Sequence, residues 1–82
     1  MSAVWFVYVL KSLKDNDLYV GSTNIIHRRL AEHNSGKVES TKHRIPFALE
    51  AYIAVRDQAR AIALERYLKT GSGKAMLRKR IL

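Results

Sequence analysis

Residues 3–10 read AVWFVYVL and residues 18–21 read LYVG, with Asp15-Asn16-Asp17 between them. The first stretch is an unbroken apolar run rich in β-branched and aromatic side chains, closed by Lys11 and Ser12. Its length and composition predict a buried strand rather than a helix. The aspartates and asparagine supply turn chemistry, so the two runs predict an antiparallel hairpin. Such a hairpin brings Tyr8 and Tyr19 into one neighbourhood, although strand tyrosines ordinarily pack and only hydrogen-bond their hydroxyls.

Outward from the hairpin, Thr23 or Asn24 can cap a helix over about residues 25–34. Asn34-Ser35-Gly36 ends it, the glycine being able to take the left-handed conformation of a C-terminal cap. Lys37 to Ile45 is polar and basic without a period, hence a loop. Pro46 restarts the chain in extended form, and residues 47–55 (FALEAYIAV) predict a third strand, with a helix the alternative that its alanines keep open. Asp57 can cap a second helix from Gln58 to about Lys69, closed by Thr70-Gly71, and Ser72 can cap a short third helix running to Arg80. The order β-β-α-β-α-α predicts a small α+β domain, a three-stranded, largely antiparallel sheet flanked by about three helices. The expected organisation is one domain over residues 1–82.

Composition bounds the chemistry. A chain of 82 residues buries only roughly 60–65% of its unfolded surface, so the core is modest. No cysteine is present, which excludes disulfides, thiolate zinc sites and a thiol nucleophile. The N-terminal apolar run is too short to span a bilayer and lacks a basic start, so the expected location is cytoplasmic. Fifteen Lys and Arg against seven Asp and Glu give +8, the electrostatic footprint of a polyanion binder. From Arg66 onward every charged side chain is basic. That segment is the strongest candidate for a phosphate-facing surface, or else a solvated helix face.

The first helix separates two arginines. With Ile25 at 0° on a wheel of about 100° per residue, Arg29 falls at about 40° and His33 at about 80°, inside the apolar sector with Ile26 and Leu30. Arg28 falls at about 300° beside Glu32, where a solvated ion pair is the natural reading. A guanidinium turned toward a core needs an anionic or strongly hydrogen-bonding receiver, and a phosphate qualifies; snorkelling to water is the plain alternative. His33 is by default a packed histidine, or else a phosphate or water contact one turn from Arg29. Glu65 interrupts a helix apolar over most of its circumference and needs a partner, either a structural arginine or a divalent cation. Mg²⁺ keeps several waters and takes one or two protein carboxylates, so a single glutamate suffices as its anchor. Acting as a base at neutral pH, Tyr8 requires its phenol pKa of about 10 to be lowered by nearby cations or metal-bound water, and Arg29 with the general positive field supplies some of that. Two apparent motifs fail. Gly71-Ser72-Gly73-Lys74 lacks the first glycine and the hydroxyl of a phosphate loop and follows a helix, and His27 and His33 lack zinc spacing.

These residues together resemble the GIY-YIG nucleases, whose two strand motifs here read Phe6-Val7-Tyr8 and Tyr19-Val20-Gly21. The likeness continues through Tyr19 to Asn24, Arg29-Leu30 and His33-Asn34-Ser35-Gly36, and covers essentially the whole chain. It is similar to small stand-alone bacterial proteins of that kind and to the nuclease module of the bacterial excinuclease C subunit. The resemblance implies a divalent-metal-dependent DNA endonuclease, in a repair or recombination setting. It casts Tyr8 as the water-activating phenol, Tyr19 as the orienting partner, Arg29 as the cation on the phosphoryl oxygens and His33 as a proton-transfer aid. Glu65 would be the ligand of a single Mg²⁺ or Mn²⁺. DNA would lie on Arg28, Lys37, Lys42, Arg44, Lys69, Lys74 and Arg78.

There are two departures. An asparagine that many relatives carry in the final helical segment is missing, Ser72 being the nearest small polar substitute. A lysine that directly follows the second motif's glycine in some members is Ser22 here. The rival to the enzyme reading is a nucleic-acid-binding module with weak or no turnover, and a third is a protein-interaction subunit whose charge serves solubility. With no sequence-reading domain attached, target choice is expected to come from partners or DNA shape.

Overall fold

The computed structural model describes residues 4–82, so Ala3, the expected start of the first strand, lies outside the described residues. Eight residues, Trp5–Ser12, form β1, and Leu18–Thr23 form β2. Their antiparallel register runs from Phe6 opposite Thr23 to Lys11 opposite Leu18. Both strands run two residues past their expected ends, because Lys11, Ser22 and Thr23 stay in the paired ladder although their side chains are polar. Asn16 takes a positive φ of 62° in the connecting turn. Phe47–Val55 form β3, as the sequence predicts, and pair antiparallel with β1 to give the order β2-β1-β3. Val9 faces Ala51 while Leu10 faces Leu49, so Glu50 is an extra residue that bulges the strand outward.

Strand alternation sorts the central strand's side chains onto two faces. Val7 and Val9, with Leu18 and Val20, pack on Ala61, Leu68 and Leu77 from the C-terminal helices. Tyr8 and Leu10, with Phe47, pack on the other face among Tyr19, Leu30, Ile45 and Leu49. The first helix, α1 (Ile26–Asn34), covers that second face.

Neither Thr23 nor Asn24 caps α1; Ile25 stands at its N-cap without a side-chain bond. The Thr23 hydroxyl instead accepts from the Ile25 amide at 3.1 Å, tightening the turn just before the helix. Gly36 takes φ +79° after the helix, the expected left-handed stop. Asn34 does more than end α1. Its side-chain amide donates to the Phe47 carbonyl at 3.1 Å and its oxygen accepts from the Phe47 amide at 2.7 Å, which pins the helix end to β3.

Helix α2 spans Gln58–Leu68, capped as expected by Asp57, whose carboxylate accepts from the Arg60 amide. Its apolar surface is less covered than its composition implies: Ala61 and Leu68 are buried, whereas Ile62 and Tyr67 are exposed. Helix α3 spans Gly71–Met76 and continues as a π-helical turn, Leu77–Ile81. Its cap is Thr70, not Ser72. The chain becomes extended at Thr70, so that hydroxyl serves both helices, donating to the Tyr67 carbonyl and accepting from the Gly73 amide. Gly73 touches the α2 backbone so closely that a Cβ would overlap the Tyr67 carbonyl. No helix among the described residues is long and apolar enough to cross a membrane.

Candidate active site

Tyr8 stands on the central strand directly opposite Gly21. Its ring lies across that glycine: a Cβ at position 21 would overlap the phenol carbon and its hydroxyl. The glycine of Tyr19-Val20-Gly21 is therefore a space requirement set by Tyr8. From there the Tyr8 hydroxyl reaches α1, whose 3.6-residue period puts Arg29 and His33 one turn apart toward the sheet.

The contact is direct. The Tyr8 oxygen lies 3.0 Å from His33 Nε2, and Arg29 Nε donates to it at 3.4 Å. Tyr8 is 3% exposed and His33 fully buried. The Arg29 N–H can only donate, so it takes a lone pair of the phenol oxygen. The buried phenol proton then needs an acceptor, and Nε2 is the one within reach. Tyr8 therefore donates to His33. Arg29 is further held by Glu32 at 3.0 Å. This corrects the expectation that Glu32 pairs with Arg28, which is exposed and has no ion pair among the described residues. The wheel placed Glu32 nearer Arg28, but Arg29 extends toward the phenol, and that direction carries its guanidinium to the i+3 carboxylate.

Burial acts on both titratable partners. It pushes the Tyr8 phenol above its ordinary value, outweighing the hydrogen bond from Arg29 that lowers it. Arg29 does lower it, as expected, but burial leaves the net shift upward. Burial, with the Arg29 guanidinium second and Glu32 opposing both, brings His33 down to about 4. At neutral pH the pair is a protonated phenol against a neutral imidazole.

Tyr19 completes the aromatic cluster, its ring 5.0 Å from the His33 ring and 6.4 Å from those of Tyr8 and Phe47. Its hydroxyl makes no hydrogen bond among the described residues. Glu65 arrives from the other layer. It sits on α2, and Ser22 of the edge strand β2 donates to its Oε1 at 2.7 Å. Lys69, one turn further along α2, lies 2.8 Å from Oε2 and reaches over the Tyr19 ring at 5.7 Å. Burial opposes ionisation of Glu65, but the Lys69 ammonium and the Ser22 hydroxyl outweigh it and hold the carboxyl below its usual range. Five predicted residues thus form two groups. Tyr8, Arg29 and His33 join by direct hydrogen bonds; Glu65, with Ser22 and Lys69, meets them across Tyr19 at the sheet edge.

The donor set bears on a divalent ion. Among the described residues no three His, Cys, Asp or Glu side chains converge. One ionised carboxylate with a neighbouring hydroxyl suits a hydrated ion of the Mg²⁺ kind, completed by substrate oxygens. It does not suit an all-protein cage, and Lys69 already shares the carboxylate.

The basic candidates divide. Lys42 pairs with Glu39, Arg44 with Asp15, Lys69 with Glu65 and Arg78 with Asp17. Arg28, Lys37 and Lys74 have no ion pair among the described residues. Sequence reasoning missed Ser22 and Lys69 as partners of Glu65, although the i, i+4 spacing of Glu65 and Lys69 was a visible signal. It also missed Thr41, whose Oγ1 lies 2.8 Å from His33 Nδ1; a lone threonine in an aperiodic loop carries no signal.

Comparison with known proteins bears on the family and the fold. The GIY-YIG catalytic domain matches residues 4–79. A UPF0213 protein of Staphylococcus haemolyticus is 36% identical over 74 residues, covering 89% of each chain. A UPF0213 protein of Nitratidesulfovibrio vulgaris is 49% identical over 47 residues, 56% of this chain but only 42% of that one, so the chain spans less than half of that relative. The solution structure of a UPF0213 protein of Bacillus halodurans superposes with a TM-score of 0.56 at 33% identity, covering 93% of this chain and 83% of that one. Because the catalytic-domain match spans residues 4–79 and a UPF0213 relative is 36% identical over 89% of each chain, the chain belongs to the GIY-YIG catalytic domain family.

Proposed function

We propose that the protein is a divalent-metal-dependent endonuclease that hydrolyses phosphodiester bonds in DNA. The observation that carries this reading is the buried Tyr8 hydroxyl held between the Arg29 guanidinium and the neutral His33 ring. A phenol with a pKa above 10 is ionised to less than about one part in a thousand at pH 7, so resting phenolate is too scarce to be the base. The Tyr8 proton therefore has to leave as the water attacks, and His33 Nε2 is the acceptor within reach, one that burial makes a weak base. As the attacking water loses a proton to the Tyr8 oxygen, the Tyr8 proton moves to His33 Nε2, and the water oxygen forms its bond to phosphorus. The bond from phosphorus to the leaving oxygen breaks, solvent protonates that oxygen, and the imidazolium returns its proton to the Tyr8 oxygen as Tyr8 releases one to solvent. Arg29, adjacent to the phenol, would stabilise charge on the phosphoryl oxygens. Glu65 would hold a Mg²⁺ or Mn²⁺ ion, whose Lewis acidity would stabilise the leaving oxygen. Tyr19, between the two groups, would orient the scissile phosphate.

The second reading, a DNA-binding module with little turnover, is favoured by one observation, the Lys69 ammonium seated on the carboxylate that the ion needs. The test is cleavage of supercoiled, single-stranded and branched DNA with Mg²⁺, Mn²⁺ or a chelator, alongside Tyr8→Phe, Arg29→Ala and Glu65→Ala. The nuclease reading expects metal-dependent cutting that each substitution lowers by a factor on the order of 10² or more. Salt-sensitive binding without cutting by the wild type establishes the binding module instead. Full-rate cutting by Glu65→Ala removes the role given to the carboxylate.

A further inference from the structure

Thr41 lies in the loop between α1 and β3, fully buried, with its side-chain oxygen 2.8 Å from His33 Nδ1. The hydrogen-bond inventory around the ring admits one complete solution. Were the proton on Nε2, the Tyr8 oxygen would receive two donors, from His33 and Arg29, and its own buried proton would have no acceptor among the described residues. With the proton on Nδ1, the phenol and imidazole protons both have acceptors among the described residues. Tyr8 donates to Nε2, Nδ1 donates to Thr41 Oγ1, and the Thr41 hydroxyl points at the Val38 carbonyl 3.5 Å away.

The loop is held in place for this contact. The Ser12 hydroxyl donates to the Arg44 carbonyl at 2.6 Å, Lys14 donates to the His43 carbonyl at 3.0 Å, and Arg44 pairs with Asp15 at 2.7 Å. Three contacts from the β1–β2 hairpin thus fix the segment directly after Thr41. Backbone bonds from Thr41 and Lys42 to the Val38 carbonyl fix it from the other side.

We propose that Thr41 is a positioning residue: its oxygen accepts the Nδ1 proton of His33 and so keeps Nε2 bare, as the acceptor for the Tyr8 proton. The catalytic consequence rests on the nuclease reading above, whereas the tautomer itself does not. The charged and titratable groups facing His33 are Tyr8 from β1, Tyr19 from β2, and Arg29 and Glu32 from its own helix. None of them offers Nδ1 an acceptor.

The experiment is long-range ¹H–¹⁵N NMR of the imidazole nitrogens in the full chain at pH 7, with exposed His27 and His43 as internal references, followed by steady-state cleavage of DNA. The wild type is expected to show His33 protonated on Nδ1. Thr41→Val is expected to lose that tautomer's dominance and to lower kcat by a factor on the order of 10² with KM little changed. Thr41→Ser keeps the oxygen and should retain both the tautomer and kcat. A wild-type ring protonated on Nε2 overturns the proposal without any variant, which covers the case of Thr41→Val failing to fold. An unchanged tautomer in Thr41→Val, or a Thr41→Ser as impaired as Thr41→Val, overturns it too. A tautomer that depends on Thr41 in a wild type that cuts no DNA supports the positioning and defeats only the nuclease reading.

Discussion

Acidification offers a sharp test of the buried Tyr8–His33 pair, because His33 is the fully buried member of three histidines. In the unfolded chain its imidazole titrates near 6.5, whereas in the fold burial and Arg29 bring it down to about 4. As pH falls, the unfolded state therefore binds this proton first. Native stability is unaffected above about pH 6.5, declines through the interval, and bears the full loss below about pH 4. Each unit of difference corresponds to about 1.4 kcal/mol, so the interval is worth about 3 kcal/mol. A domain of this size has a total stability of roughly 4–12 kcal/mol, which makes the loss a large share of the whole. It corresponds to a fall in Tm on the order of 10–20 °C.

Acid also protonates carboxylates and adds to a net charge already at +8, so the His33 contribution must be isolated by difference. Asp15 is held at about 2 by Arg44, and its loss falls below this window. His33→Gln replaces the ring with an amide that still offers one donor and one acceptor but does not titrate. Urea unfolding followed by the fluorescence of the one tryptophan, Trp5, which packs against the core, gives both stabilities from pH 7 to pH 4. The wild type should lose about 3 kcal/mol more than His33→Gln across that range. A difference that stays flat within about 0.5 kcal/mol, the error of such comparisons, refutes the claim that His33 is neutral in the fold.

Gly21→Ala should destabilise the fold by about 1–3 kcal/mol, since the new methyl meets the rigid Tyr8 ring. Thermal unfolding checks this, and an unchanged Tm would show that Tyr8 does not lie across Gly21. Lys69→Met should tighten Mn²⁺ binding roughly two- to fivefold, because a partly exposed ion pair of about 0.2–1 kcal/mol no longer competes for Glu65. Calorimetric titration reads the affinity directly, and equal or weaker binding would remove Lys69 as a competitor.

Elements whose signals are local were legible. The first strand, which begins at Trp5 and runs two residues past Leu10, the Asp15–Asp17 turn, the extended stretch after Pro46 and the Asp57 cap each depend on nearest neighbours. The wheel also ranked Arg29 above Arg28 correctly, since facing the sheet is a property of the helix period alone. Failures came where a side chain had two possible partners. Thr23, Glu32 and Thr70 found theirs according to the direction in which the chain turned, which spacing does not encode. The net direction of the Tyr8 pKa was not legible for a related reason. A count of nearby cations is available from sequence, but the burial that outweighs them follows from the closing of α1 over the sheet.

Position 22 shows how a departure in one element can be met from another. A lysine after the second motif's glycine would put an ammonium on β2; this chain has Ser22 there, a hydroxyl with no charge. The Ser22 side chain nevertheless points to Glu65, and the same carboxylate carries the Lys69 ammonium 2.8 Å away, supplied by α2. Local charge is thus kept while its tether moves from strand to helix. Because β2 is the edge strand, side chains from the α2 layer can meet Tyr19, which belongs to the α1 layer, without crossing the hydrogen-bonded sheet. The missing asparagine finds no comparable substitute: Ser72 is exposed on α3 and forms no side-chain hydrogen bond among the described residues. Of the two departures, the one at position 22 has an ammonium beside it on Glu65, and the one in α3 has no side-chain substitute among the described residues.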